Sequence, residues 1–464
     1  MRGLIPLGAL MLTASLAVYT APAPDSQIRP YLDRGLELGK EGKWNEAITE
    51  LRKATTLAPQ SAEVRYSLGV ALFWTHQYSA ARHELEQSLG IDPKLAAAHF
   101  FLGCSIEAGG GDLLQAAHHL EKAVEYGARA AEVYRRLGLT LTKLGDLGGA
   151  IHSYRDALKT SPDALDIRNL LGLALIEAGD LNGAIAMFRQ MLAANSSYLA
   201  AKKNLGLVLI RAGDSRAAET IYRELVAADP KDAVAQYNLG VALREQDKLE
   251  EAGVHFQKAI GLNPGWADPA IDWGKALWQL DRLYEARQAL QSATVLEPGS
   301  EDAWRALSAV LVDLGDLSEA ANALTNAIRV APGSPEAHYS LALIYRRLGK
   351  LDEATRELDL AGSGRRRRDS ADAAIVSTQT GIRLLERGEF EAAAVQFRAV
   401  IASEPGFAPA YYQLSLTLKK LGRERGAAEA LKAAESRDPG LRFCRSSLGL
   451  RSWLQRNPVP AAGR

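Results

Sequence analysis

Residues 230–264 read PKDAVAQYNLGVALREQDKLEEAGVHFQKAIGLNP, and this stretch decides the fold. It opens and closes on prolines 34 residues apart, Pro230 and Pro264, and Pro298 and Pro332 continue the step. Inside it, Leu239-Gly240 is followed 12 and 16 positions after the glycine by Ala252 and Phe256. Working outward, Leu68-Gly69, Leu102-Gly103, Leu137-Gly138, Leu171-Gly172 and Leu205-Gly206 keep the beat. So do the pairs Ala150 and Tyr154, Ala184 and Phe188, and Ala218 and Tyr222, while Pro59–Pro93 and Pro405–Pro439 repeat the proline interval. A fixed period with this grammar describes an array of helix-turn-helix units. The glycine and the later alanine are small because two helices cross there. The larger residue after them is expected to fill space against the next unit's first helix. Gly-Asp or Gly-Lys pairs at Gly145-Asp146, Gly179-Asp180, Gly213-Asp214, Gly315-Asp316 and Gly349-Lys350 supply the left-handed residue that ends the first helix. Composition agrees: apolar residues make up 47% of the 464 and aromatics only 7%. The apolar share is therefore small aliphatic side chains suited to close helix packing.

The pattern resembles the tetratricopeptide repeat family. Twelve repeats align, starting at Ile28, Ala62, Ala96, Ala131, Leu165, Leu199, Ala233, Ala267, Glu301, Pro335, Ala374 and Ala408, and together cover 28–439. The first aromatic of the motif survives only as Tyr31, Tyr134, Trp304 and Tyr411, and the glycine becomes Ser308, Ala342 and Ser415 in three repeats. The resemblance implies an all-α fold, a right-handed α-solenoid superhelix of helix-turn-helix repeats. It also implies a concave face lined by first helices through repeat positions 2, 5, 6, 9, 12 and 13. Carried over residue by residue, these positions make a peptide-binding groove of Asn169, Lys203, Asn204, Tyr237, Asn238, Arg244 and Lys275. Tyr66, Phe100, Trp74, Trp278, Tyr339 and Tyr412 are its expected aromatic groups. Asn204 and Asn238 hold the same position in successive repeats, and an asparagine both donates and accepts. The pair resembles the asparagine ladder in the superhelix of O-linked N-acetylglucosamine transferases, which implies a grip on a peptide backbone. The Lys/Asn carboxylate clamp of chaperone-binding family members is not reproduced as a set.

Several segments fall outside the period. Residues 1–23 carry one charge, Arg2, then an apolar run ending in Ala21-Pro22-Ala23. They read as a signal peptide or membrane anchor. Repeats one to ten occupy 28–361. Gly362-Ser363-Gly364 and the arginines Arg365 to Arg368 open an Arg-rich linker at 362–373, a solvated hinge loop that lengthens the period by five residues. Repeats eleven and twelve fill 374–439, and 440–464 reads as a C-terminal cap helix and basic tail. Lys plus Arg balance Asp plus Glu at 55 each. The charge is nevertheless uneven, net −8 over 1–361 and +8 over 362–464.

No constellation of catalytic chemistry stands out. The eight histidines are scattered, and His118 and His119, being adjacent, point to different sides of a helix rather than converging on a metal. No phosphate-cradling loop follows a strand. Cys104 and Cys444 lie ten repeats apart, too far for a disulfide. No metal, cofactor or nucleic acid is expected, and a membrane only if the N-terminal segment stays uncleaved. The sequence thus reads as a non-catalytic protein-protein interaction scaffold that binds an extended peptide or partner protein in its groove. Its location is exported: periplasmic, cell envelope or secreted. Two rivals are a substrate-docking subunit for a separate glycosyltransferase-type enzyme and an envelope-assembly factor.

Overall fold

The computed structural model describes residues 27–437. The expected leader at 1–23, the closing Pro439, Cys444 and the expected cap and tail at 440–464 lie outside the described residues. The described chain falls into two compact units, 27–174 and 175–437.

The first unit contains α1 (Arg29–Lys40), α2 (Trp44–Leu57), α3 (Ala62–Trp74), α4 (Tyr78–Ile91), α5 (Ala96–Ala108), α6 (Leu113–Glu125), α7 (Ala131–Leu144) and α8 (Leu147–Thr160). The division falls inside α9 (Leu165–Glu177). The second unit continues with α10 (Leu181–Ala194), α11 (Leu199–Arg211), α12 (Ser215–Ala228), α13 (Ala233–Arg244), α14 (Leu249–Leu262), α15 (Asp268–Gln279) and α16 (Leu283–Leu296). It ends with α17 (Glu301–Asp313), α18 (Leu317–Val330), α19 (Pro335–Arg347), α20 (Leu351–Glu386), α21 (Phe390–Ser403), α22 (Ala408–Lys420) and α23 (Glu424–Arg437). Each unit is a stack of helical hairpins, the all-α solenoid architecture that the period implies. Helices touch their sequence neighbours, and first helices also touch first helices of the next repeat: α1 with α3, α3 with α5, α5 with α7, then α11 with α13, α13 with α15 and α15 with α17. Most helices have 12 to 14 residues, marginal alone, so this stacking supplies their stability.

Where a hairpin carries its glycine, the close crossing leaves no room for a Cβ. A Cβ on Gly240 would lie 2.7 Å from Phe256 Cε1, one on Gly138 2.5 Å from Tyr154 Cε1, and one on Gly381 2.5 Å from Phe397 Cε1. The residue 16 positions on therefore packs over the glycine of its own repeat, a contact the period alone does not assign. The turn between the two helices is equally regular. All twelve repeats place one left-handed residue there, at 42, 76, 110, 145, 179, 213, 247, 281, 315, 349, 388 and 422. Nine are glycine; His76, Asp247 and Asp281 adopt φ near 60° despite their side chains. After several of these glycines an aspartate caps the second helix: Asp146, Asp180 and Asp214 accept from the backbone N–H of Gly149, Gly183 and Ala217.

The fourth repeat position explains why the motif's aromatic can be lost. In six repeats its side chain bonds to the carbonyl of the proline six residues earlier, and the residue type varies. Arg65 Nε reaches Pro59 O at 2.7 Å, Gln236 Nε2 reaches Pro230 O at 2.9 Å, Trp304 Nε1 reaches Pro298 O at 3.0 Å and Tyr411 Oη reaches Pro405 O at 3.2 Å. His99 and His338 bridge to Pro93 O and Pro332 O, each at 3.0 Å. A donor, rather than a ring, satisfies the turn carbonyl.

The structure corrects the expectation of a hinge loop at 362–373. That segment lies within α20, a single helix of 36 residues, ~54 Å long at ~1.5 Å per residue. The physical reason is a missing breaker. The 34-residue step from Pro332 lands on Arg366, and arginine is a good helix former. Gly362 and Gly364 weaken the helix without ending it. Gly364 sits against the preceding turn, where a Cβ would meet Pro335 Cγ at 3.1 Å and Gly333 O at 3.2 Å. Further on, the Ser370 hydroxyl donates to Glu404, and Ala374 and Ile382 are buried. One helix therefore serves as the second helix of repeat ten and the first of repeat eleven.

Candidate interaction face

The face built by first helices in the second unit carries most of the expected groove residues, and most of their charges are already engaged. Lys203 Nζ pairs with Asp232 Oδ2 at 2.5 Å. Asp232 also caps α13, accepting from the N–H groups of Val234 and Ala235. Burial would raise its pKa, but Lys203 and these N–H groups outweigh burial and hold the carboxyl below its ordinary range. One repeat on, Asp272 receives both Tyr237 Oη at 2.8 Å and Arg244 Nη1 at 2.5 Å. Burial and the Asp272 anion push the Tyr237 hydroxyl up, so it stays a donor. The Tyr237 ring meets Trp266 edge-on, with centroids 4.7 Å apart. Lys275 Nζ pairs with Asp302 Oδ2 at 2.5 Å, and Trp278 Nε1 donates to Asp313 Oδ2 at 2.6 Å.

Sequence reasoning missed these four aspartates: Asp272, Asp302 and Asp313 lie in the adjoining repeat, and Asp232 is the cap of that repeat's first helix. The one signal that could have found three of them is the recurrence of Asp about one repeat after each cation. Asn204 is half-buried and partnered within the protein. Asn238 is half-buried on the same helix face, its amide without a partner among the described residues. Asn169 belongs to the other unit, on α9 before the division, and is likewise half-buried and partnered.

The open part of the face lies further along. A groove of about 630 Å³ runs across α15, α17 and α19. Ala306, Ala309, Val312 and Leu343 give it an apolar lining, with Lys275, Trp278, Arg305 and Arg347 at its margins. Of the expected groove residues it contains Lys275 and, among the expected aromatic groups, Trp278. Trp278 and Leu343 are exposed at 37% and 40%. Tyr339, another expected aromatic, is also exposed, whereas Tyr66, Phe100 and Tyr412 are buried core residues and not groove surfaces. Trp74 stacks on Trp44 at 5.8 Å.

Two further features bear on chemistry. Cys104 is fully buried, and burial pushes its thiol up to about 12, far from a reactive thiolate. His118 and His119 do not simply point apart: their rings meet edge-on with centroids 5.7 Å apart, and His119 also meets His99 of α5, with Nδ1 to Nδ1 at 3.0 Å and rings stacked at 5.2 Å. With His99 Nε2 on the Pro93 carbonyl, this contact is a hydrogen bond only while one ring is neutral.

Comparison with known proteins agrees with this architecture. A tetratricopeptide repeat model matches residues 105–154, 141–198, 203–265, 271–321, 306–362 and 378–441, and a second TPR repeat model matches 35–73. No curated protein matches the chain. Among solved structures, MamA from Desulfovibrio magneticus is 24% identical, covering 36% of this chain and 94% of that one, with a TM-score of 0.34. A tetratricopeptide repeat protein from Parabacteroides merdae is 17% identical over 54% of this chain and 99% of that one, with a TM-score of 0.44. The Cut9–Hcn1 hetero-tetramer is 14% identical over 96% of this chain and 98% of that one, with a TM-score of 0.32. Sequence period, hairpin packing and family models converge: the chain belongs to the tetratricopeptide repeat family.

Proposed function

We propose that this protein is a non-catalytic scaffold that holds an extended segment of a partner protein on its first-helix face, outside the cytosol. The observation that carries the reading is the open groove across α15, α17 and α19, where Trp278 and Leu343 leave apolar surface in water. Elsewhere on this face Lys203 and Arg244 are ion-paired with aspartates about one repeat on, and the Tyr237 hydroxyl donates to one of them. That pre-ordering lets a segment bind without first rearranging the wall. Export is supported by the sequence of 1–23, with its positive start, apolar run and Ala-x-Ala end. Among the described residues no helix is long and apolar enough to cross a membrane.

The test is an affinity capture from cell-envelope extract, read by mass spectrometry, with the wild-type chain, Leu343→Ser and the control Lys258→Ala on α14. A partner retained by wild type and control and lost with Leu343→Ser supports the reading. A partner set unchanged in Leu343→Ser contradicts it.

A further inference from the structure

Of the chain's ten asparagines, Asn195 alone is followed two positions later by a serine or threonine, in Asn195-Ser196-Ser197. This is the acceptor pattern for N-linked glycosylation, in which the middle residue must not be proline. The triplet forms the turn between α10 and α11, and residues 193–197 are all exposed. Turns at this place in other repeats are built in a similar way. Asp92 and Asp229 each accept from the backbone N–H two residues on, and Asn195 Oδ1 accepts from the Ser197 N–H at 3.1 Å. Two things are particular to Asn195. The Ser197 hydroxyl donates to the same Oδ1 at 2.8 Å, so the amide is held twice by its oxygen. Its nitrogen, Nδ2, has no partner among the described residues. Asn263 stands two periods further on at the same repeat position and is also exposed, but Pro264 and Gly265 follow it. Ser196 takes the place that Pro230, Pro264 and Pro298 hold in other repeats, and a proline there would forbid the modification.

We infer that Asn195 is a glycosylation site, the acceptor for an oligosaccharide transferred from a lipid diphosphate-linked donor by a separate transferase. The inference rests on the export proposed above, because acceptor turns of this kind belong to secreted chains. In the step, Asn195 Nδ2 attacks the anomeric carbon of the donor sugar. The N–C bond forms as the bond from that carbon to the diphosphate oxygen breaks. The lipid diphosphate leaves with the electron pair, one amide proton passes to a base of the transferase, and nothing is oxidised or reduced. The two Ser197 donors fix the carboxamide by its oxygen and leave the nitrogen for the incoming sugar. A glycan is bulky and hydrophilic, and on this exposed turn it displaces no buried side chain.

The experiment is glycopeptide mapping of the full-length protein from the envelope, secreted and cytosolic fractions of the cells that make it. Trypsin releases 190–202, QMLAANSSYLAAK, between Arg189 and Lys202. In the exported protein this peptide should carry the added mass of a glycan, and a glycoamidase should remove that mass and leave an aspartate at position 195. Asn195→Gln, Ser197→Ala and Ser196→Pro should each abolish the added mass, and Ser197→Thr should keep it. Ser196→Pro restores the residue that other repeats carry, so a glycan lost in that variant reports on the acceptor and not on folding. Circular dichroism of each variant checks this. The peptide containing Asn263 should stay unmodified. An exported chain with 190–202 unmodified would overturn the inference and leave the export reading standing. Added mass that persists in Asn195→Gln would place the sugar on a hydroxyl and would also overturn it. A chain found only in the cytosol would overturn both.

Discussion

Replacing Arg366 with proline tests whether α20 is continuous, because this is the position where the repeat's closing proline is absent. Arg366 is exposed, so the substitution removes no core contact and acts through the backbone. In a helix interior, proline deletes one backbone hydrogen bond and its ring clashes with the carbonyl four residues earlier, at a cost of about 3 kcal/mol or more. The helix is tied on both sides of that point, by Gly364 against Pro335 and by Ser370 on Glu404. Wild-type residues 365–368 therefore present trypsin with four arginines inside a helix that must open before cleavage. When opening is fast relative to cleavage, the rate follows the population of the open form. About 3 kcal/mol then corresponds to roughly 100-fold faster cutting in Arg366→Pro. The assay is limited digestion with mass mapping of the first fragments. Wild type should resist at this run, and the variant should be cut there first. If wild type is cut at 365–368 as quickly as the variant, the segment is a loop in solution and the continuous-helix account is wrong.

Three other outcomes follow from the packing. Asp281→Gly should stabilise the protein by about 1 kcal/mol, because Asp281 holds φ 59° where glycine has no steric penalty; urea unfolding reads this directly, and no gain would mean that the aspartate compensates its strain. Gly240→Ala should destabilise by about 1–3 kcal/mol, since the new Cβ would lie 2.7 Å from the Phe256 ring; an unchanged melting temperature would show that the hairpin can spread without cost. Burial, with the nearby His99 and His118, holds His119 down to about 4, and burial also lowers His99. The unfolded chain therefore binds protons first. This contribution to stability is complete above about 6.5, the ordinary histidine value, and is lost as pH falls toward about 4. Arg82, Lys122 and Glu125 are the other charges that act on the pair. Protection factors of α5 and α6, which correct for the intrinsic fall of exchange rate with pH, should drop between pH 7 and 5, and His119→Phe should flatten that drop; protection factors independent of pH in wild type refute the coupling.

Much of this fold is legible in the sequence because its determinants are local and periodic. Gly240, Ala252 and Phe256 announce one helix crossing, and eleven variations on the theme announce the rest. What escapes is held by geometry that composition does not encode. Asp247 and Asp281 sit in the left-handed region because the turn demands it, though neither carries the glycine signal. The run from Gly362 to Arg368 looks like a linker by residue type, yet it lacks the one residue, a proline at 366, that would interrupt the helix. The face residues Lys203, Arg244 and Lys275 read as free cations because their aspartate partners lie a repeat away in sequence, and only stacking of first helices brings them together. Side-chain exposure was the least readable quantity. Tyr66 and Tyr339 occupy the same repeat position, and one is core while the other is surface.

The central claim is that a bound segment lies along first helices, and hydrogen–deuterium exchange of the full chain with and without a captured partner tests it most directly. The account predicts slowed exchange concentrated in α15, α17 and α19, with α16 and α18 unchanged. Protection confined to the second helices, or binding that leaves α15, α17 and α19 exchanging as before, would contradict it.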